Sequence, residues 1–475
     1  MKDDGLAMTV DTSTVSWAPW LTPRRAIVFV LSCMTLMAAI SVLLSNPFQS
    51  EVNAGATPNY ASVMFLHGLL IGMVGLMALL TLQVLQIRSL HARAWICVGV
   101  VAATILASVG GIFDNKIPGA EVAMWTQIFG FFALDEILVV LIYGIYKERA
   151  RAVAVGRLPF VAALATSAAM LAAAAMGHLA GWIMEFGNWP GAIGVYSGAA
   201  GFASTDDFSG ALVGSHSHEM AVGAMGLAVT LLVIQFGYSA LTGASRVVAR
   251  IGMAMVAVGT ILMALFYVAT GITTWAPPDS IATVGAVPNQ IPLDDIITGV
   301  LVMGGGVVAA AAFIPALMKT PIRLAAAWAF VLATSTVAVA GYTIELNTSH
   351  FGAGDQTAPG AASDAIFTWL HQDLGLFLLP TLLVVMLAVE RLASSRRFSN
   401  RIGLSTIAGA TLLFAGGMFW VFVDPALHGP GYWISTTGIL LTGAAVLATI
   451  WHVGMTAAPR RATKAPKPQL RPIAH

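Results

Sequence analysis

ASVMFLHGLLIGMVGLMALLTLQVLQ, residues 61–86, is the stretch that decides the fold class. Its 26 residues carry no Asp, Glu, Lys or Arg, one histidine two turns from the start, and arginines (Arg88, Arg93) only beyond the end. About 20 apolar residues in a helix cross the ~30 Å hydrocarbon layer of a bilayer, so this segment reads as a membrane crossing. The pattern recurs along the chain. Apolar runs at 25–45, 61–86, 94–113, 122–146, 158–185, 216–241, 247–272, 294–317, 322–345, 365–390, 402–423 and 432–453 predict twelve transmembrane helices. The composition agrees: 58% of the 475 residues are hydrophobic and 9% are charged, which excludes a soluble globule.

Basic residues orient the helices, because cytoplasmic loops retain Lys and Arg. With the N-terminus inside, 22 of the 23 Lys and Arg fall on the inner side, and only Lys116 falls outside. A shift of one helix would scatter that segregation. The sequence therefore predicts an all-α polytopic membrane protein with both termini cytoplasmic, in a multi-pass arrangement suited to a bacterial inner membrane. Residues 1–24 read as a cytoplasmic N-terminal segment ahead of a signal anchor, 25–453 as the twelve-helix domain, and 454–475 as a basic, disordered tail. Three outer connections, 186–215, 273–293 and 346–364, are long and rich in Gly, Pro, Ser and Thr, a pattern that suits a cover or a docking surface. The partners expected are the lipid bilayer and no nucleic acid. Cys33 and Cys97 form no CxxC or CxxCH, so neither a disulfide scaffold nor covalently attached heme is expected.

The threading places His67, His178, His216, His218 and His371 at one depth, near the outer face. Imidazoles in or near hydrocarbon are costly, and a belt of five points to a bound metal or heme. Gly68, Gly72 and Gly75 follow His67 and leave two readings open. One is a GxxxG-like helix contact, the other a groove that admits a flat macrocycle beside an axial ligand. His216, His218 and Glu219 are expected to open the sixth helix. Two residues apart, the imidazoles point about 200° away from each other, so one faces the core while the other caps the helix or meets a loop. Together with Glu219 they form the densest metal-capable cluster in the chain. Asp135 and Glu136 fall in the middle of the fourth helix, where a carboxylate serves either a proton path or a helix–helix hydrogen bond. Asp373 adds a carboxylate at outer depth. His350 and His428 read as outer-loop residues, and His91, His452 and His475 as cytoplasmic-side ones.

Twelve helices with both ends inside, FLHGLLIG around His67, His218-Glu219 on the sixth helix and His371 at the outer start of the tenth resemble subunit I of the heme–copper oxidases and nitric oxide reductases. The short run HSHEMAVGAMG is also similar to a segment of a twelve-helix heme- and copper-containing family linked to nitric oxide stress. The chain departs from the oxidase pattern in two places. Its seventh helix reads FYVATGITTW, where that family carries a His-His pair, and its tenth reads His371-Gln372-Asp373 in place of His-x-His. A complete oxidase centre is therefore not expected.

The resemblance implies a membrane redox protein and oxidoreductase chemistry. His67 and His371 would be the axial pair of a b-type heme, and His178 would be a further cofactor-binding residue. His216, His218 and Glu219 would hold a copper ion or a second heme. Electrons would come from a quinol or a small carrier at the outer face, and protons would pass Asp135, Glu136 and Asp373. A second reading, a proton-coupled secondary transporter, uses the same His, Asp and Glu residues, and a third is a metal-free membrane assembly partner.

Overall fold

The structure, a computed structural model, describes residues 22–44, 60–114, 121–186, 197–202, 204–273, 296–318, 320–351, 374–393, 395–422 and 428–457. These residues are helical throughout, with short connections and no strand among them. The helices are α1 (Pro23–Leu44), α2 (Tyr60–Val84), α3 (Leu90–Asp114), α4 (Glu121–Lys147), α5 (Arg157–Phe186), α6 (Thr205–Gln235) and α7 (Gly243–Ile272). Next comes α8, π-wound over Ile296–Gly304 and α-helical over Gly305–Ala311. It is followed by α9 (Pro321–Phe351), α10 (Leu379–Leu392, entered through a π turn at 374–378), α11 (Arg396–Phe422) and α12 (His428–Ala457). Nine of the described helices are long and apolar enough to cross a membrane, and Leu70–Val84 and Ile297–Ala311 are shorter apolar stretches. The chain is a polytopic α-helical membrane protein.

Three boundaries differ from the sequence reading. The sixth helix begins at Thr205, eleven residues before its apolar run, because Ser204 caps it: the Ser204 hydroxyl accepts from the Asp207 amide at 3.0 Å. His350 lies within α9, which continues to Phe351, and His428 opens α12; neither is a loop residue.

Packing sorts the helices into three groups of four: α1–α4, α5–α8 and α9–α12. Each group repeats one plan. The second helix packs on the first and third, the first also packs on the third, and the third packs on the fourth. The groups meet where α4 touches α5, α8 touches α9, and α12 touches α1. The second helices, α2, α6 and α10, touch one another and form the centre. Burial confirms this: 83% of the spanning window of α6 and 72% of that of α10 lie inside the bundle, against 39% for α4 and 28% for α12. The central three are parallel. Thr381 of α10 donates to Met73 Sδ of α2 (3.3 Å), and ten residues further along both helices Arg391 donates to the Gln83 carbonyl (2.7 Å). At that same end Gln235 of α6 donates to Glu390 (2.8 Å) and to the Leu387 carbonyl (3.1 Å), and Arg323 of α9 pairs with Glu390.

In lipid there is little hydrophobic drive between helices, so close approach at small residues provides much of the cohesion. Gly252 of α7 lies against the backbone of α8, where an added Cβ would stand 2.4 Å from the Ala309 nitrogen. On α2, a Cβ at Gly72 would meet Met34 at 2.6 Å, and one at Gly75 would meet Val100 at 2.7 Å. These two glycines therefore admit side chains from α1 and α3. This favours the helix-contact reading of that stripe over a macrocycle groove.

Candidate functional site

His178, His216, His218 and Glu219 lie in the half of the bundle opposite the Arg-rich end. His178, in α5, lies 21 residues, about 31 Å of helix, from Arg157 at the start of that helix. His216 and Glu219, in α6, lie 19 and 16 residues before Gln235. They are three to four turns inside α6, so Glu219 is not a first-turn partner of the helix dipole, and Asp207 takes that place.

The local sequence explains how each group is held. On α6 the two histidines turn to different neighbours, as their spacing requires. His216 faces α5: its Nδ1 donates to the Ala173 carbonyl at 2.7 Å, and the ring lies over Gly177, where a Cβ would stand 2.5 Å from Nδ1. Only glycine at 177 leaves room for that ring. His218 faces α7 and stacks near Tyr267, with centroids 5.8 Å apart and planes at 25°; its Nδ1 donates to the Gly214 carbonyl one turn back, at 2.9 Å. A carbonyl can only accept, so in both rings Nδ1 carries the proton, and in the neutral ring Nε2 bears the lone pair. Ser215, whose hydroxyl lies 3.4 Å from that of Thr270, ties the same level of α6 to α7.

Glu219 is fully buried, and neither carboxylate oxygen has a hydrogen-bond partner among the described residues. It shares a helical stripe with Ser215, Gly223 and Gly226. Those residues meet Thr270 and Thr260 of α7, Met170 and Thr166 of α5, and Val302 of α8. An ionised carboxylate in such a seam needs a positive partner, because the effective desolvation cost is several kcal/mol.

Asp135 and His178 come together. The His178 Nδ1–H donates to Asp135 Oδ2 at 2.8 Å, joining α4 to α5, and Phe132 stacks on the imidazole with centroids 4.7 Å apart. His178 thus belongs to the α4–α5 boundary and not to the central helices. Glu136, the next residue, is exposed on the outer surface of α4. Its stripe includes Phe129, Phe132, Val139 and Tyr143, all more than half exposed, so this carboxylate faces the lipid.

His67 lies on α2, two turns after Tyr60, and its side chain is outside the described residues, as are His371 and Asp373 entirely. Among the described residues no three of His, Cys, Asp and Glu gather as a metal-holding group; His216 and His218 diverge, and Glu219 stands between them on the helix. Sequence reasoning missed the Asp135–His178 pair, the Gly177 seat and the Tyr267 stack, which all depend on helix neighbours. It also missed the true start of α6, although Ser204 followed by Asp207 is a legible cap signal. The chain matches no protein-family model, no curated protein and no solved structure.

Proposed function

We propose that this chain is a heme-binding redox protein of the bacterial inner membrane. It crosses the bilayer twelve times with both termini cytoplasmic, as a divergent relative of heme–copper oxidase subunit I. One observation carries the reading. The three parallel helices at the centre of the bundle, α2, α6 and α10, belong to the three segments in which the sequence places His67, the pair His216 and His218, and His371. Parallel helices that meet at one axis let His67 and His371 share a flat cofactor there, while His216 and His218 turn to α5 and α7 and would serve a separate group.

His67 and His371 would hold the iron of a b-type heme, which when bound supplies a one-electron redox centre. His216 and His218 have the orientation of ligand histidines: Nδ1 is fixed to a carbonyl, which sets the tautomer and turns Nε2 into the basic nitrogen. Glu219 would balance positive charge beside them or pass a proton, and Gly72, Gly75, Gly223 and Gly226 close the seams between α2 and α6 and their flanking helices.

The protein, expressed with ample heme and purified in mild detergent, should show a Soret band and a reduced-minus-oxidised difference spectrum. His67→Ala and His371→Ala should each abolish the low-spin signal, and His91→Ala, at the Arg-rich end, should leave it intact. Iron-free protein under those conditions refutes the proposal. Proton-coupled transport is the second reading, favoured by Glu219, which is buried with no hydrogen-bond partner among the described residues. Cofactor-free uptake that collapses in Glu219→Gln would select it.

A further inference from the structure

The lipid-facing side of the α4–α5 boundary holds two hydrogen-bond acceptors that no described residue donates to. Glu136 is exposed on α4, eleven residues, about 16 Å of helix, from Lys147 and fifteen from Glu121, and so sits near mid-membrane. No hydrogen bond or ion pair reaches its carboxyl group among the described residues. His178 spends its Nδ1 proton on Asp135, which leaves Nε2 as the acceptor, and no described residue donates to it. The imidazole is not sealed in the core, since its side chain is 21% exposed and that of Asp135 is 22% exposed. Hydrocarbon offers neither group a donor, and an unsatisfied polar group there costs several kcal/mol.

Aromatic rings line the stretch that runs past His178. Phe132 lies one turn from Glu136 and stacks on His178, and Trp182, one turn beyond His178 on α5, is exposed to the same lipid. Bulky aromatic residues are poor material for a tight contact with another transmembrane helix, which favours small residues. They suit a flat ring.

We propose that Phe132, Glu136 and His178 form a binding site for a membrane-dissolved hydroquinone. Its two hydroxyls donate to the carbonyl oxygen of the Glu136 carboxyl group and to His178 Nε2, while its ring lies beside Phe132. Asp135 is a positioning residue: it holds the imidazole in the tautomer that accepts. As the identity of an electron donor this rests on the redox reading above; as a binding site it is tested without it.

The test uses the full chain in lipid nanodiscs and a photoactivatable azidoquinone with a short alkyl tail, reduced to the hydroquinone before illumination. Mass spectrometry should map the label to residues 125–143 and 174–186, and excess tetramethylhydroquinone should compete it away. Glu136→Leu, at a lipid-facing position where the variant folds normally, should raise the probe concentration needed by roughly tenfold, the loss of one hydrogen bond. His178→Phe, which keeps the stack on Phe132, should do the same, and Val139→Leu should leave labelling unchanged. Label that maps elsewhere, that is not competed, or that is equally strong in Glu136→Leu overturns the site. So does a protein helix crosslinked over Glu136 in native membranes. No heme signal enters these readouts, so this inference and the heme reading fail independently.

Discussion

Two glycines four residues apart on α5 should respond in opposite ways to the same substitution. At Gly177 an added methyl would stand 2.5 Å from His216 Nδ1, 2.6 Å from Cε1 and 2.9 Å from Cγ, distances that real Cβ atoms do not tolerate. The ring must swing away and lose its 2.7 Å bond to the Ala173 carbonyl. The lost hydrogen bond costs about 1 kcal/mol and the overpacking about 1–3 kcal/mol. A gain of about 0.5–1 kcal/mol from replacing glycine within a helix offsets part of this. Gly177→Ala should therefore destabilise the protein by about 1–3 kcal/mol. At Gly181 nothing among the described residues lies within 4 Å of the new methyl, so only the helix term remains and Gly181→Ala should be neutral or stabilising by up to about 1 kcal/mol. Reversible unfolding of detergent-solubilised protein with increasing dodecyl sulfate gives both values on one scale. The double variant Gly177→Ala/His216→Ala should recover most of the overpacking loss, since the strain exists only while the imidazole is present. Equal midpoints for the two glycine variants, or strict additivity in the double variant, would show that His216 does not occupy this seat.

Glu390 collects Arg323 and Gln235, so Glu390→Ala strands both and should cost about 1–3 kcal/mol in the same unfolding assay, while Arg323→Lys should cost less. Gly252→Leu drives a side chain into the α8 backbone and should lower the unfolding midpoint more than any of the other variants, or abolish folded yield in detergent. Tyr238, in the turn between α6 and α7, has its phenol pushed above the ordinary tyrosine range by burial, against the opposing pull of Arg250 and Arg246. The unfolded state then releases this proton first, so stability should fall as pH rises past about 10, and Tyr238→Phe should flatten that limb of the midpoint-versus-pH curve.

The site was legible only in part. That α6 carries two diverging histidines follows from their spacing, and the structure gives each its own neighbour, Ala173 for one and Tyr267 for the other. Their depth did not follow, because the polar opening TDDFSGALVGSHSH does not resemble a membrane helix, although Ser204 begins one there. Asp135 and Glu136 look alike in sequence. One residue of separation is a turn of about 100°, which sends one to His178 and the other to the lipid.

The sequence alone determined the solvent this protein folds in and where the apolar part of its helices runs. Hydrocarbon demands long apolar runs, and the Lys and Arg that terminate them mark one side, so residues 61–86 and their counterparts could be read without neighbours. Only the tertiary structure decided which helices are central, and that the glycines after His67 seat Met34 and Val100. In a chain this apolar, lipid-facing and protein-facing surfaces have nearly the same composition, so which face meets what is settled by shape and by the few polar groups that must find partners.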